Sequence, residues 1–351
     1  MKKTLLSLAV ASTTLIAAPA FSMSDTPDPE PVDETVIYPS SDTTVRFIAI
    51  GDTGTGKDGQ YKVAEAMKQV CDLRGCDFAI GMGDNVYEDG VDGKYDIQFE
   101  TKFEEPYKDL HFPFYMSLGN HDNTWLIGGD GANNDRGEAQ VDYHYRTDRM
   151  SNKWQMPARH YKFNAPEQGT PLVTFFSLDT NPMASAGDPD TEYNKDDSSA
   201  EQGAWFKDGH KNSSAPWKIA YGHHPYISNG RHGNAGNYDG LAGQGKYFRD
   251  MMEENVCGNA DVLFTGHDHD LQWLKETESC PGTFHILTGA GAKTREFGND
   301  DRNAVYWQQD NVLGFFYVEI QGDEFRGTAY TVDANTGEAT AAYSRTMQRN
   351  K

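Results

Sequence analysis

From Thr44 onward the chain alternates apolar runs with polar intervals. Seven runs are rich in β-branched and aromatic residues: VRFIAI (45–50), DFAIGM (77–82), FPFYMSL (112–118), LVTFFSL (172–178), WKIAYG (217–222), DVLFTG (261–266) and FHILTG (284–289). Short runs of this composition predict strands. Between them lie segments with helical character: KDGQYKVAEAMKQV (57–70), YDIQFETKFEEPY (95–107) and SSAEQGAWFKDG (198–209). In the last, Ser198 and Glu201 have the spacing of a capping box. Strands alternating with helices predict an α/β fold with largely parallel strands. Towards the end, GFFYVEIQGDEFRGTAYTVD (314–333) and EATAAYSRTM (338–347) predict antiparallel strands joined by turns. No internal repeat is present, and residues 44–351 are expected to form a single domain.

The first residues follow another pattern. Lys2 and Lys3 precede a short apolar stretch, Leu5 to Ala18, and then small residues. This predicts a secretory signal peptide over 1–22, with a cut near Ala20 or Ser22, rather than a membrane span. Residues 23–43 are acidic and Pro-rich and predict a disordered lead-in. The expected product is exported, either periplasmic or secreted, with no membrane span. Its oligomeric state is not specified by the sequence.

Charge narrows the partners. The chain carries 31 Lys and Arg against 53 Asp and Glu, a formal −22, which becomes −24 once Lys2 and Lys3 leave with the signal. Such a surface repels nucleic acid and anionic lipid, so no nucleic-acid binding is expected. The four cysteines, Cys71, Cys76, Cys257 and Cys280, are an even number in an exported chain. That suggests disulfides. Three pairings are open, and proximity favours Cys71–Cys76 with Cys257–Cys280.

The chemistry sits where the apolar runs stop. Five of them pass directly into a polar cluster: GDTG (51–54), GDNVY (83–87), GNHD (119–122), GHHP (222–225) and GHDH (266–269). Each cluster opens with glycine, which lets the chain turn sharply and approach a ligand. Sites in open α/β sheets form beyond the carboxyl ends of the strands, so the clusters are expected along one edge. They collect Asp52, Asp84, Tyr87, Asn120, His121, His223, His267 and His269. Oxygen and imidazole donors without sulfur suit Fe, Zn or Mn. The set is too large for one tetrahedral zinc and about right for two ions sharing a carboxylate, the clamp used for displacement at phosphorus. In an extended chain His267 and His269 would face the same side, with Asp268 a spacer pointing away. Singly, each residue has an ordinary reading: Asp52 a turn former, Asn120 a cap, Tyr87 core, His223 surface. Five independent strand–Gly–ligand endings make the joint reading the better one. GDTGTGK (51–57) has P-loop spacing, but Asp58 stands where Ser or Thr must hold Mg²⁺.

This series of clusters resembles the calcineurin-like metallophosphoesterases, and within them the purple acid phosphatases of the small, tartrate-resistant type. The tyrosine of GDNVY, with KWQMPARHYKF (153–163), FFSLDT (175–180) and LTGAGAK (287–293), carries the likeness over roughly residues 44–335. The resemblance implies an αββα sandwich of two mixed sheets flanked by helices, with a dinuclear site at the strand C-terminal ends. It implies Asp52, Tyr87 and His269 on Fe(III). It places Asn120, His223 and His267 on a divalent Fe, Zn or Mn, with Asp84 bridging. A metal-bound hydroxide would attack a small-molecule phosphate monoester. His121 and His232 would hold phosphate and protonate the leaving alcohol, with Asn120, His224 and Arg231 also at the substrate. His224 stands where an aromatic is common, and Arg231 where relatives carry Glu or His, which leaves the general acid open among His121, His232 and His224. The loop SNGRHGNAGNYDG (228–240) reads equally well as a solvated turn. WLIGGDGANNDRGEAQ (125–140) is an insertion after the third cluster. The expected activity is that of an exported acid phosphatase. The alternatives are a phosphodiesterase or nucleotide-specific hydrolase on the same site, and a secreted metal-binding protein without catalysis.

Overall fold

The computed structural model describes residues 43–185 and 193–349. The expected signal peptide and nearly all of the expected lead-in lie outside these residues. Two seven-stranded mixed sheets stack face to face. The first has the order β14-β13-β12-β1-β2-β3-β4 and the second β11-β9-β10-β8-β7-β6-β5. The strands are β1 (Thr44–Ile50), β2 (Phe78–Gly81), β3 (Phe114–Met116), β4 (Trp154–Gln155), β5 (Tyr161–Ala165), β6 (Val173–Ser177), β7 (Trp217–Tyr221), β8 (Val262–Thr265), β9 (Leu271–Leu274), β10 (Phe284–Thr288), β11 (Val305–Gln309), β12 (Leu313–Gln321), β13 (Glu324–Val332) and β14 (Ala339–Gln348). The helices are α1 (Asp58–Arg74), α2 (Glu138–His144), α3 (Asn181–Ala184), α4 (Lys195–Asn212) and α5 (Lys246–Met251).

The continuous apolar runs now have a reason. Side chains alternate across a strand. In β1, Val45, Phe47 and Ala49 enter the core between the sheets, while Ile48 and Ile50 pack outward with Val63, Met67 and Val70 of α1. In β8, Val262 and Phe264 face the other sheet, and Leu263 faces Phe206 of α4 and Phe248 of α5. Each central strand is therefore apolar on both faces. A fully buried Phe contributes roughly 2–3 kcal/mol. Four of them, Phe47, Phe78, Phe175 and Phe264, meet at the centre of the sandwich, where Phe47 lies 5.2–5.9 Å from the other three ring centroids.

The expected disulfides form, Cys71–Cys76 and Cys257–Cys280. Three local expectations change. Parallel pairing is confined to β1-β2-β3-β4 and to β6-β7-β8-β10, and the outer pairings are antiparallel. The α4 N-cap is Asn194, whose side chain accepts from the Asp197 backbone N–H at 3.0 Å, so Ser198 lies inside the helix. Segment 95–107 winds into a wide turn at Glu100–Glu104 instead of a regular α-helix. Among the described residues, no helix is long and apolar enough to cross a membrane.

Candidate metal centre

The five clusters do not share one sheet edge. Asp52, Asp84 and Asn120 follow β1, β2 and β3 in the first sheet. His223 and His267 follow β7 and β8 in the second. Stacking brings both sets of strand ends to one mouth. Two of the glycines make the approach fit. A Cβ on Gly119 would sit 2.3 Å from Asp84 Oδ1, and one on Gly266 would sit 2.4 Å from Asp52 Oδ2. Asp52, Asp84 and His267 have φ of 60°, 51° and 72°. Left-handed backbone at three non-glycine residues is strain of the kind that collects at functional sites.

Asp52, Asp84, Tyr87, His223, His267 and His269 are all buried, as is Asn120. They fall into two groups. In one, Tyr87 Oη donates to Asp52 Oδ1 at 3.0 Å and lies 3.2 Å from His269 Nε2. Asp52, Asp84 and His269 offer ligand atoms within 4.8 Å of one another. In the other, His223 Nε2 lies 2.7 Å from Asn120 Oδ1 and 3.0 Å from His267 Nδ1. Asp84 Oδ1 is 3.4 Å from His223 Nε2 and so reaches both groups. His267 and His269 do not converge on one point. The left-handed turn at His267 separates them, one to each group.

The donor chemistry of the second group points to a cation. His223 Nδ1 donates to the Met82 carbonyl oxygen at 2.8 Å, so in the neutral ring Nε2 carries a lone pair. Asn120 Nδ2 donates to the Gly129 carbonyl oxygen at 2.7 Å, which turns its Oδ1 inward. A lone pair, an amide oxygen and a carboxylate oxygen then face one another. Acceptors buried against acceptors are costly, and a cation between them removes the cost. Titration agrees. Burial, with the charge of Asp84, pushes Asp52 up to about 8. Burial also raises Asp84, but His223 and His121 outweigh it and hold it low. Burial raises Tyr87 well above its usual range, and Asp52 and Asp84 add to this. Burial and the Arg295 charge bring His269 down to about 3, and burial likewise keeps His267 neutral. Neutral imidazoles beside carboxyls are ready ligands, and a bound cation favours their deprotonated forms.

The remaining sequence candidates ring the mouth. His121 Nδ1 donates to the Glu88 carbonyl oxygen at 2.6 Å, leaving Nε2 4.0 Å from Asp84 Oδ2. His224 is buried with Nδ1 2.8 Å from Thr180 Oγ1, its ring 4.6 Å from that of His267. His224 joins His223 and His267 in a second possible ligand grouping. His232 is well placed, its ring 4.1 Å from that of His267. Arg231 beside it is exposed. The 51–57 loop is no phosphate cradle: Gly54 lies so close to the Asn85 carbonyl oxygen that a Cβ would meet it at 2.0 Å.

Several positioning residues escaped the sequence reading. Asp268 is not a spacer. Its carboxylate accepts from Ser228 Oγ at 2.5 Å and from the His232 backbone N–H at 2.8 Å, fixing the loop that carries His232. Asp122, in GNHD, accepts from the backbone N–H groups of Asn85, Val86 and Gly119 at 2.9–3.1 Å and ties two ligand loops together. Arg295 Nη1 donates to His232 Nε2 at 2.9 Å, and Asp239 Oδ1 accepts from His232 Nδ1 at 2.7 Å. Lys293 lies 3.5 Å from the centroid of the Tyr87 ring. Of these, Lys293 ends LTGAGAK and Asp239 lies in SNGRHGNAGNYDG, both quoted above without a role, and Arg295 follows two residues after Lys293.

A paired, acceptor-lined mouth at the strand ends of two stacked sheets suits a two-metal site of the kind used for displacement at phosphorus. The chain belongs to the calcineurin-like phosphoesterase family, whose model matches residues 45–271. Among curated relatives it is similar to tartrate-resistant acid phosphatase type 5 of Rattus norvegicus, 27% identical over 305 residues, covering 80% of this chain and 85% of that one. It is also similar to purple acid phosphatase 4 of Arabidopsis thaliana, 28% identical, covering 85% and 83%. Two solved structures share the fold. GAP50, the anchor in the inner membrane complex of Plasmodium, has TM-score 0.67 at 20% identity, covering 88% of this chain and 90% of that one. The purple acid phosphatase PPD1 of yellow lupin seeds has TM-score 0.60 at 15% identity, covering 89% and 55%.

Proposed function

We propose that this protein is an exported acid phosphatase that hydrolyses phosphate monoesters at a dinuclear centre of Fe(III) and a divalent Fe, Zn or Mn. The observation that carries the reading is the inward-facing acceptor set on both sides of Asp84. Relatives named tartrate-resistant and purple acid phosphatases support the substrate class. Tyr87, Asp52 and His269 are hard or neutral donors suited to the trivalent ion, and Asn120, His223 and His267 suit the divalent one. Asp84 is shared. Such a pair, when bound, supplies Lewis acidity to the phosphoryl oxygens and activates water as nucleophile.

The chain's own groups manage the proton and the phosphate. Burial works against a charged His232, but the Asp239 hydrogen bond and the Asp268 charge outweigh it, raising its pKa. At acidic pH a larger share of His232 is therefore protonated and able to donate to the leaving alcohol. A protonated Nε2 no longer accepts from Arg295, which frees the guanidinium for a phosphate oxygen. His121, held by Glu88, takes the other side of the phosphate. Export is supported by the N-terminal pattern of Lys2, Lys3 and the Leu5–Ala18 stretch, and by the two disulfides.

The test is a visible spectrum with metal analysis, together with rates on p-nitrophenyl phosphate and its bis-ester. A broad visible band that vanishes in Tyr87→Phe, with faster monoester turnover, is expected. A colourless, iron-free, fully active protein would remove iron from the proposal. Preference for the bis-ester would make it a diesterase.

A further inference from the structure

The 124–131 loop supplies none of the candidate ligands, yet it is built onto them. Gly129 accepts from Asn120 Nδ2 at 2.7 Å, and a Cβ at Gly129 would lie 2.5 Å from His121 Nε2. Thr124 Oγ1 accepts from the Gly129 N–H at 2.8 Å and donates to the His121 carbonyl oxygen at 3.1 Å. Asp130 staples the loop from within. Its carboxylate accepts from the backbone N–H groups of Trp125, Leu126 and Ile127 at 2.8–2.9 Å and of Ala132 at 3.1 Å.

What this rigid turn holds up is apolar. Trp125, Leu126 and Ile127 are 51%, 73% and 75% exposed. Three consecutive large apolar side chains fixed in water mark a binding surface. Their position names the occupant. Trp125 and Leu126 form one wall of a cavity of about 520 Å³, and the segment Tyr87–Gly90 forms part of the other. Of the lining residues Tyr87 alone belongs to the candidate metal centre: its carbonyl oxygen accepts from Lys102 Nζ, another lining group, and its Oη donates to Asp52. Ile127 is two residues from Gly129, so their Cα atoms are at most about 7.6 Å apart. The tip and the phosphate-holding residues therefore share one neighbourhood. Charge restricts what can enter. Glu88, Asp89 and Asp92 line the cavity alongside Lys102 and Arg136, and the whole chain carries −22. An alcohol bearing further negative charge is disfavoured there.

We propose that Trp125, Leu126 and Ile127 form the leaving-group subsite, selecting phosphate monoesters whose alcohol is aromatic or apolar and uncharged. The proposal rests on the phosphomonoesterase reading above.

The experiment compares wild type with Trp125→Ser/Leu126→Ser/Ile127→Ser, which spares Asp130 and Gly129. The readouts are kcat/KM for 2-naphthyl phosphate and glycerol 2-phosphate, and inhibition by naphthylphosphonate and inorganic phosphate. In the variant the naphthyl ester is expected to fall by about tenfold or more, from lost apolar contact. Glycerol phosphate should stay within about twofold. Naphthylphosphonate should weaken by the same factor as the naphthyl ester, with inorganic phosphate unchanged. Trp125→Phe should recover most of the preference. An equal fall for both esters, or unchanged naphthylphosphonate inhibition, overturns the subsite. So does binding of phosphatidylcholine vesicles that the variant loses while its ester ratio stays fixed, since the tip would then serve a membrane surface. If wild type hydrolyses no monoester, the functional reading fails instead. Direct binding of the two phosphonates, naphthyl against methyl, then decides the subsite on its own.

Discussion

The two ends of the stacked sheets handle buried polar groups in opposite ways. At the end where β2 and β8 begin, an aspartate precedes each strand and extends its parallel ladder. Asp77 Oδ2 accepts from the Arg46 N–H at 2.7 Å while its own N–H donates to the Arg46 carbonyl oxygen at 2.8 Å. Asp261 repeats this with Lys218 in the second sheet, again at 2.7 and 2.8 Å. The Arg46 side chain meets Glu319, its cross-strand partner, at 2.8 Å. Each of these donors has an acceptor. At the other end Asn120 Oδ1 and Asp84 Oδ1 lie 2.7 and 3.4 Å from His223 Nε2, and with that ring neutral and its Nδ1 donating to the Met82 carbonyl oxygen these three atoms are all acceptors. Burial and charge are alike at the two ends. What separates a structural end from a functional one is complementarity.

Substitutions at each end sharpen this contrast. The largest effect is expected from Asp84→Asn, because both ligand groups lose their shared anion. Phosphatase activity should fall on the order of 10³-fold, and bound metal should drop. Metal-free thermal stability should fall only modestly, since Asn keeps an oxygen that can accept from the His121 backbone N–H, now at 3.0 Å from Asp84 Oδ1. A large loss of metal-free stability would mean that the site end is structural as well. Arg46→Met should do the reverse. It leaves Glu319 buried and unpaired, costing about 3–5 kcal/mol, while kcat of the folded fraction stays unchanged. Adding Glu319→Leu should restore most of that stability, as read by denaturant titration.

The smallest effect probes an exception. His285 in β10 is buried with neither ring nitrogen hydrogen-bonded, stacked on Tyr226. It is unmatched but solitary, so it should affect stability and not activity. Burial lowers its pKa to about 3. The unfolded chain takes up the proton first, so the neutral ring's contribution is complete above about pH 6.5 and is lost as pH falls towards 3. At pH 5 the loss is about 2 kcal/mol. His285→Phe should therefore raise the melting temperature more at pH 5 than at pH 7.5. Equal gains at both values would assign the effect to packing alone.

Much of this was legible in the chain. The seven apolar runs are strands because both faces of each are covered, and such runs leave a continuous signal. Four other strands were not singled out. β5 alternates exposed and buried positions, β11 is only half-buried, β4 has two residues, and β9 lies directly behind a ligand cluster. The strand–Gly–ligand endings singled out the donors without any distances. Asp268 and Asp122 sat in plain view within GHDH and GNHD. Their roles were hidden because the groups they bind are backbone N–H groups from other loops.

The sequence by itself determined which strands are central and which side chains collect at the strand ends, and it favoured the cysteine pairing that the structure shows. Those follow from periodicity, proximity and the short reach of a turn. Only the tertiary structure decided that the ends belong to two sheets and that His267 and His269 part company at a left-handed residue. It also showed that Gly129, nine residues beyond Asn120, turns the Asn120 amide. Donor orientation depends on contacts between segments distant in the chain, and no local pattern encodes it.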